Sequence, residues 1–189
     1  MGRHRTIDRA GVLDAAERVV MREGAAHLTL DAVAAEAGIS KASVLYDYKT
    51  KRALIRALIE RRVASEEQRL QDLVDAGGDR PDARIRAQLG SASRSFSDED
   101  RSVALNLCAA LAQDAELRDP VQQSLSRAVA DIQASSSHPR GAMLAFLAVE
   151  GLMLLDWFGL YSFPHEEREQ LIAEIAWLIG QSPVPNPSA

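Results

Sequence analysis

The feature that most constrains this chain is a pair of very short helical stretches, each with its own N-cap residue, joined by only Gly38-Ile39-Ser40. Thr29 is a good N-cap, and Asp31 falls in the first turn, where the helix dipole favours an anion. Val33, Ala34 and Ala37 make a narrow apolar stripe that ends at Gly38. Ser40 then caps a third helix from Lys41 to about Tyr46, with Ile39 placed to plug the core beneath the turn. Helices of two turns do not persist alone in water, so both must be held by surrounding elements and are kept for what they present. The spacing is that of a helix-turn-helix.

The remainder is helical in pattern: apolar residues recur three and four apart, and no stretch alternates as a strand does. A first helix over about 7–22 buries Ile7, Val12, Ala16, Val19 and Val20 and stops at Gly24. Thr50 caps a fourth helix over about 51–75, which opens with Ala53, Leu54, Leu58 and Ile59. It continues into polar Ser65-Glu66-Glu67-Gln68-Arg69 and so bridges head and body. Two glycines and a proline in 76–81 break the chain. Five further helices are expected at about 82–95, 98–113, 119–135, 139–161 and 165–181. Their starts are marked by the Ser97 cap, by Pro120 and Pro139, and by Pro164 ahead of Glu166 and Glu167. The fold class is all-α with about nine helices. Its expected divisions are a head over 1–51 with the connecting helix 51–75, a body over 76–181, and a disordered proline-rich tail over 182–189.

No apolar run reaches the ~18–20 residues that cross a bilayer, and the N-terminus has no uninterrupted apolar core of a secretion signal, so no membrane partner and a cytoplasmic location are expected. A single cysteine, Cys108, and four scattered histidines argue against disulfide, metal and cofactor chemistry. The net charge of −5 is unevenly spread. Residues 1–62 hold twelve Lys+Arg against eight Asp+Glu, net +4, whereas residues 63–189 hold ten against nineteen, net −9. A basic head on an acidic body suits a protein with one end that approaches phosphates.

The segment from Leu28 to Lys51 closely resembles the DNA-binding domain of the TetR family of bacterial transcription regulators. The capping Thr29, Val33-Ala34, the Ala37-Gly38-Ile39-Ser40 turn, Tyr46, the aromatic Tyr48 and the Thr50-Lys51 cap carry the likeness, with Arg9, Ala15-Ala16 and Gly24 upstream. The match covers roughly 7–60; beyond it only the helical layout is similar. The resemblance implies a homodimer that reads the two half-sites of palindromic double-stranded operator DNA. Ala42 and Ser43 would let the third helix come near base edges, Lys41 would reach a guanine or a phosphate, and Tyr46 and Lys51 would meet phosphates. Thr29 and Ser40 are expected as caps, with phosphate contact a second role. Arg3 and Arg5 form a basic arm for the backbone or minor groove. Val44, Leu45 and Tyr48 are expected in or lining the core. Asp47 departs from the family pattern: it either points away from phosphates or accepts from a cytosine.

For the body, the resemblance implies an effector pocket and a dimer interface. The helix at 139–161 is apolar nearly all round, so it is buried on several sides. Leu147, Gly151, Leu154 and Phe158, with Leu171, Ile172, Ile175 and Ile179 of the last helix, are the expected interface, a four-helix arrangement with the symmetry mate. Phe96, Asn106, Leu107, Cys108, Met143, Phe146, Glu150, Met153 and Trp157 are the expected pocket for a small-molecule effector. Glu150 is either a counter-charge for a cationic effector or a partner of an arginine such as Arg140 or Arg168 across the dimer. Cys108 reads as a small buried hydrophobe rather than a sensor thiol. The expected function is a ligand-responsive repressor with no catalytic role. Alternatives are an activator or ligand-independent regulator of the same fold, and a helical adaptor without specific DNA binding.

Overall fold

The computed structural model describes residues 9–78, 80–93 and 97–183. Among these residues the chain forms nine α-helices and a short 3-10 turn. In order they are α1 (Arg9–Glu23), α2 (Leu30–Ala37), α3 (Lys41–Asp47), α4 (Lys51–Gly77), α5 (Ala83–Ala92), α6 (Asp98–Gln113), α7 (Asp119–Ser135), α8 (Pro139–Trp157) and α9 (His165–Leu178). The 3-10 turn, Ala115–Arg118, precedes α7. The all-α class is therefore as expected, and the helix starts fall where their caps were read. Ser97, for example, accepts from the Asp100 amide at 3.0 Å. The ends are less faithful: α5, α8 and α9 stop at 92, 157 and 178 instead of 95, 161 and 181. Gly159, at φ +60°, follows the end of α8, a backbone shape that glycine adopts without the penalty other residues meet. Ile7 and residues 184–189 lie outside the described residues. Ser182, at the start of the expected tail, pairs its hydroxyl with His138 Nδ1 at 2.8 Å.

The helices gather into two compact units. The first comprises residues 1–64 and 97–122, so α6 belongs with α1, α2, α3 and the first half of α4. Its core joins Val12, Ala16, Val19 and Val20 of α1 to Leu28, Val33 of α2, Val44 of α3, Leu54 and Leu58 of α4, and Val103 and Leu107 of α6. Full burial of each such Val or Leu side chain is worth about 1.5–3 kcal/mol, which is what lets α2 and α3 exist at eight and seven residues. Ion pairs frame this core. Arg18 and Arg22 of α1 converge on Glu36 of α2 at 2.7 and 2.9 Å. Arg61 of α4 reaches Asp14 of α1 at 2.6 Å, and Arg62 reaches Glu17 at 2.8 Å.

The second unit comprises residues 65–96 and 123–189. Its core is built around the inner face of α8, where Ala142, Ala145, Phe146, Val149, Leu152 and Met153 meet Ile85 and Leu89 of α5, Ile132 of α7, Ile175 of α9 and Ile179 just past its end. The chain between α4 and α5 is a true break, with Gly78 at φ +69° and Asp82 at φ +65°. Asp82 compensates for its unusual backbone by accepting the Ser137 amide at 2.9 Å. Gly141 lets α8 approach the end of α9 so closely that no larger residue fits: a Cβ there would lie 2.3 Å from the carbonyl oxygens of both Leu178 and Gln181.

Candidate functional site

The helix-turn-helix is fixed at each of its joints. Thr29, with extended backbone, accepts the Ala32 amide at 3.0 Å and caps α2. α2 ends at Gly38, φ +67°, where the Gly38 and Ile39 amides donate back to Ala35 and Ala34 at 3.2 and 3.0 Å. This is the Schellman closure, and its left-handed residue favours glycine. Ser40 caps α3 by accepting the Ser43 amide at 3.1 Å, and its hydroxyl lies 2.9 Å from that of Ser43. Both residues therefore act as the caps they were read to be.

Two anchors hold α3 from below: Val44, fully buried, and Tyr48, which packs in the same core just past the helix. Burial also pushes the Tyr48 phenol above its ordinary pKa, with desolvation the leading cause. Val44 points inward, Ala42 and Tyr46 stand on the opposite face, and Lys41 and Ser43 flank it, all four exposed. Tyr46 is 87% exposed, an extreme value for an aromatic residue in a folded domain. Leu45 was expected in the core or lining it but is exposed at 37%. On a helix it stands about 100° round from Val44, and so emerges beside the open face.

The charged residues of this face have partners that only tertiary structure brings to them. Lys41 Nζ donates to Asp31 at 2.8 Å, tying the first residue of α3 to the first turn of α2. Lys51 Nζ donates to the Ala26 carbonyl at 2.5 Å and so pins the start of α4 to the α1–α2 loop. Asp47, the departure in the motif, accepts from Arg9 Nε at 3.3 Å. The opposite charges at 31 and 41 were visible in the sequence; the 9–47 pairing had no local signal. Arg3 and Arg5 lie outside the described residues.

Two family models match the chain. One, described as bacterial regulatory proteins, tetR family, matches residues 12–58, and the other, described as tetracyclin repressor-like, C-terminal domain, matches residues 78–180. The chain belongs to the TetR family. Three solved structures share the fold of this TetR-family regulator. A proposed transcriptional regulator from Streptomyces coelicolor A3(2) superposes with a TM-score of 0.74 at 21% identity, covering 92% of this chain and 98% of that one. A transcriptional regulator from Rhodococcus sp. Rha1 gives 0.72 at 21% identity, covering 95% and 100%. The multidrug binding protein EbrR, complexed with malachite green, gives 0.71 at 25% identity, covering 96% and 100%. No curated protein sequence matches the chain.

The expected pocket residues of this TetR-family chain divide between the two units. Asn106, Leu107 and Cys108 lie on α6 in the first unit, where Leu107 is core and Asn106 donates to the Ser102 carbonyl at 2.9 Å. Asn106 Oδ1 also closes over the Gly24 turn, 2.9 Å from where a Cβ would stand. Cys108 is half-buried, and desolvation raises its thiol pKa, in keeping with an unreactive thiol. Phe96 lies outside the described residues. In the second unit Phe146 and Met153 are core, with Met143 and Trp157 packed against it. Glu150 is the chemically distinctive member. Its Oε1 accepts from Gln88 Nε2 at 2.6 Å, and among the described residues it has no ion pair. Burial raises its carboxyl pKa, opposed by the Gln88 hydrogen bond and assisted by the charge of Glu66. Arg168, expected as a candidate partner for Glu150 across the dimer, is paired within its own chain with Asp156 at 3.0 Å and donates to the Ala92 carbonyl at 2.6 Å.

The expected interface splits as well. Leu147, Gly151, Leu154 and Phe158 are exposed and, with Leu144, form one stripe spaced three and four apart along the outer face of α8. On α9, Leu171 and Ile172 are half-buried, but Ile175, and Ile179 just past the helix end, are core residues of their own unit, which corrects their assignment to the interface. Their side chains are spent on α8 of the same chain. Trp177, which was not singled out, is the large exposed apolar residue of α9, at 64%.

Proposed function

We propose that this chain is a ligand-responsive repressor that binds palindromic double-stranded operator DNA as a homodimer and is released by a small-molecule effector. The observation that carries the DNA-binding half is the exposed surface of α3: Lys41, Ala42, Ser43 and Tyr46 stand exposed on a seven-residue helix held by its caps and by buried Val44 and Tyr48. A major groove admits such a helix, and small residues at 42 and 43 allow close approach to base edges. Lys41 would exchange Asp31 for a phosphate or a guanine. That exchange is inexpensive, because the Lys41–Asp31 pair is solvent-exposed on both sides.

Homodimerisation is supported by the α8 stripe, an apolar surface of the kind that marks an interface. Gly151 within it has open space above its backbone, so a second helix could approach closely there. Two recognition helices then read half-sites about 34–36 Å apart. Effector response is supported by Glu150, a half-buried acid that among the described residues is met by an amide and not by a cation, which suits an effector carrying positive charge. Binding energy that differs between two dimer shapes is all such a switch requires.

The test is binding to the DNA flanking the protein's own coding sequence, wild type against Tyr46→Ala, at fixed moderate salt. The proposal predicts tight, competitor-resistant binding that Tyr46→Ala loses. Equal, weak binding by both proteins would leave α2–α3 as a structural unit and favour the adaptor reading.

A further inference from the structure

An acid in the last turn of α3 is at odds with a face that meets phosphates, unless its charge is used for something. Asp47 is the last residue of α3 and follows directly on Tyr46. Its carboxylate accepts from Nε of Arg9, the first residue of α1. The pair is open to solvent, 73% on Arg9 and 21% on Asp47, and pairs so exposed contribute little to stability.

What the pair fixes is direction. Asp47 lies in the chain between buried Val44 and buried Tyr48, which anchor this end of α3. Arg9 Nε is taken by Asp47, and the two Nη groups with their four N–H donors are bonded to no other described residue. An arginine held through Nε keeps its Nη donors for a second acceptor, and a phosphate oxygen suits them.

We propose that Asp47 is a positioning residue, and that it holds Arg9 beside the exposed end of α3 so that the Arg9 guanidinium makes a DNA phosphate contact. The inference rests on the DNA-binding reading above. It adds a contact that comes from α1 and turns the anomalous acid of the motif into its support. A lone aspartate would repel phosphate, whereas an aspartate that orients an arginine delivers a cation to it.

The test measures affinity for duplex DNA flanking the coding sequence between about 50 and 200 mM salt. The proteins compared are wild type, Arg9→Ala, Arg9→Lys, Asp47→Asn and the Arg9→Ala/Asp47→Asn double variant, each first shown to melt like wild type. Each phosphate contact contributes about 0.9 to the log–log slope, so losing one makes the decline over this range roughly 3-fold shallower per protomer. Arg9→Ala and Asp47→Asn should both bind more weakly with a shallower slope, and the double variant should match Arg9→Ala alone. Arg9→Lys should keep most of the slope. A wild-type slope in Arg9→Ala, or tighter binding by Asp47→Asn, would overturn the inference, the second by showing that the acid only repels. Wild-type protein with no salt-dependent binding would instead bring down the DNA-binding reading itself, and this inference with it.

Discussion

Substituting Gly141 by alanine should destabilise the second unit although alanine is the better helix former. Gly141 lies in the first turn of α8, and a Cβ there would stand 2.3 Å from two carbonyl oxygens, those of Leu178 and Gln181. An ordinary carbon–oxygen contact starts near 3.3 Å, so the two chain segments must separate by about 1 Å. Both obstacles are backbone, and no rotamer change relieves them. The movement also strains the turn that closes α9, where the Gly180 and Gln181 amides donate to Trp177 and Leu178 at 3.2 and 3.0 Å. Overpacking of this kind costs about 1–3 kcal/mol, and the gain from removing a helical glycine returns about 0.5–1 kcal/mol. The net loss of about 1–2 kcal/mol corresponds to a Tm roughly 2–8 °C lower for a chain of this size. Gly90 of α5 is the control, because a Cβ there would meet only Leu73 Cδ1 at 4.0 Å. Thermal melts at one protein concentration should therefore show Gly141→Ala below wild type and Gly90→Ala at or above it. Equal melting of Gly141→Ala and wild type would refute the reasoning, since it would mean that the α8–α9 approach is looser than described.

Other consequences can be checked in the same way. Glu150→Gln should raise stability at pH 7. Folding raises the Glu150 pKa through burial, so its contribution is fully present below the ordinary carboxylate pKa and is lost as pH rises through the raised value. Glutamine keeps an acceptor for Gln88 without ionising; the two proteins should converge near pH 4, and denaturant midpoints that stay equal at pH 7 would contradict this. Under the proposed function the same variant also weakens the response to a cationic effector. Leu147→Asp places a charge in the α8 stripe, where Leu147 is 61% exposed in the single chain. It should weaken dimerisation by about 3 kcal/mol or more, over 100-fold in Kd, read by sedimentation at several concentrations; an unchanged dimer would exclude this stripe from the interface.

What the sequence revealed was governed by the range of the interactions involved. Caps act over three residues, so Thr29, Ser40 and Ser97 could be read directly, and Gly38 marked the tight turn that ends α2. Helix ends are set by weaker and less local signals, so α8 stopped at Trp157 while apolar residues continued to Tyr161. The periodicity of α9 showed which residues were apolar but not whether its own chain or a second one would cover them. Ile175 and Ile179 went to the former, and Trp177 was left outside. Ion pairs between elements distant in the chain lay beyond the sequence. Nothing near Asp47 pointed to Arg9, thirty-eight positions away, and nothing near Arg168 pointed to its closing on Asp156 and the Ala92 carbonyl. The grouping of α6 with the first unit was hidden for the same reason: Val103 and Leu107 are apolar on any reading, and only packing shows that they cover α1 and α4.

The central claim, that the α2–α3 face binds the DNA backbone and grooves, is tested most directly by the salt dependence of wild-type affinity for the duplex flanking the coding sequence. Several phosphate contacts per dimer predict a steep negative log–log slope, each contact adding about 0.9. A flat dependence over the same range would contradict the account, because a protein that neutralises no phosphates releases no counterions.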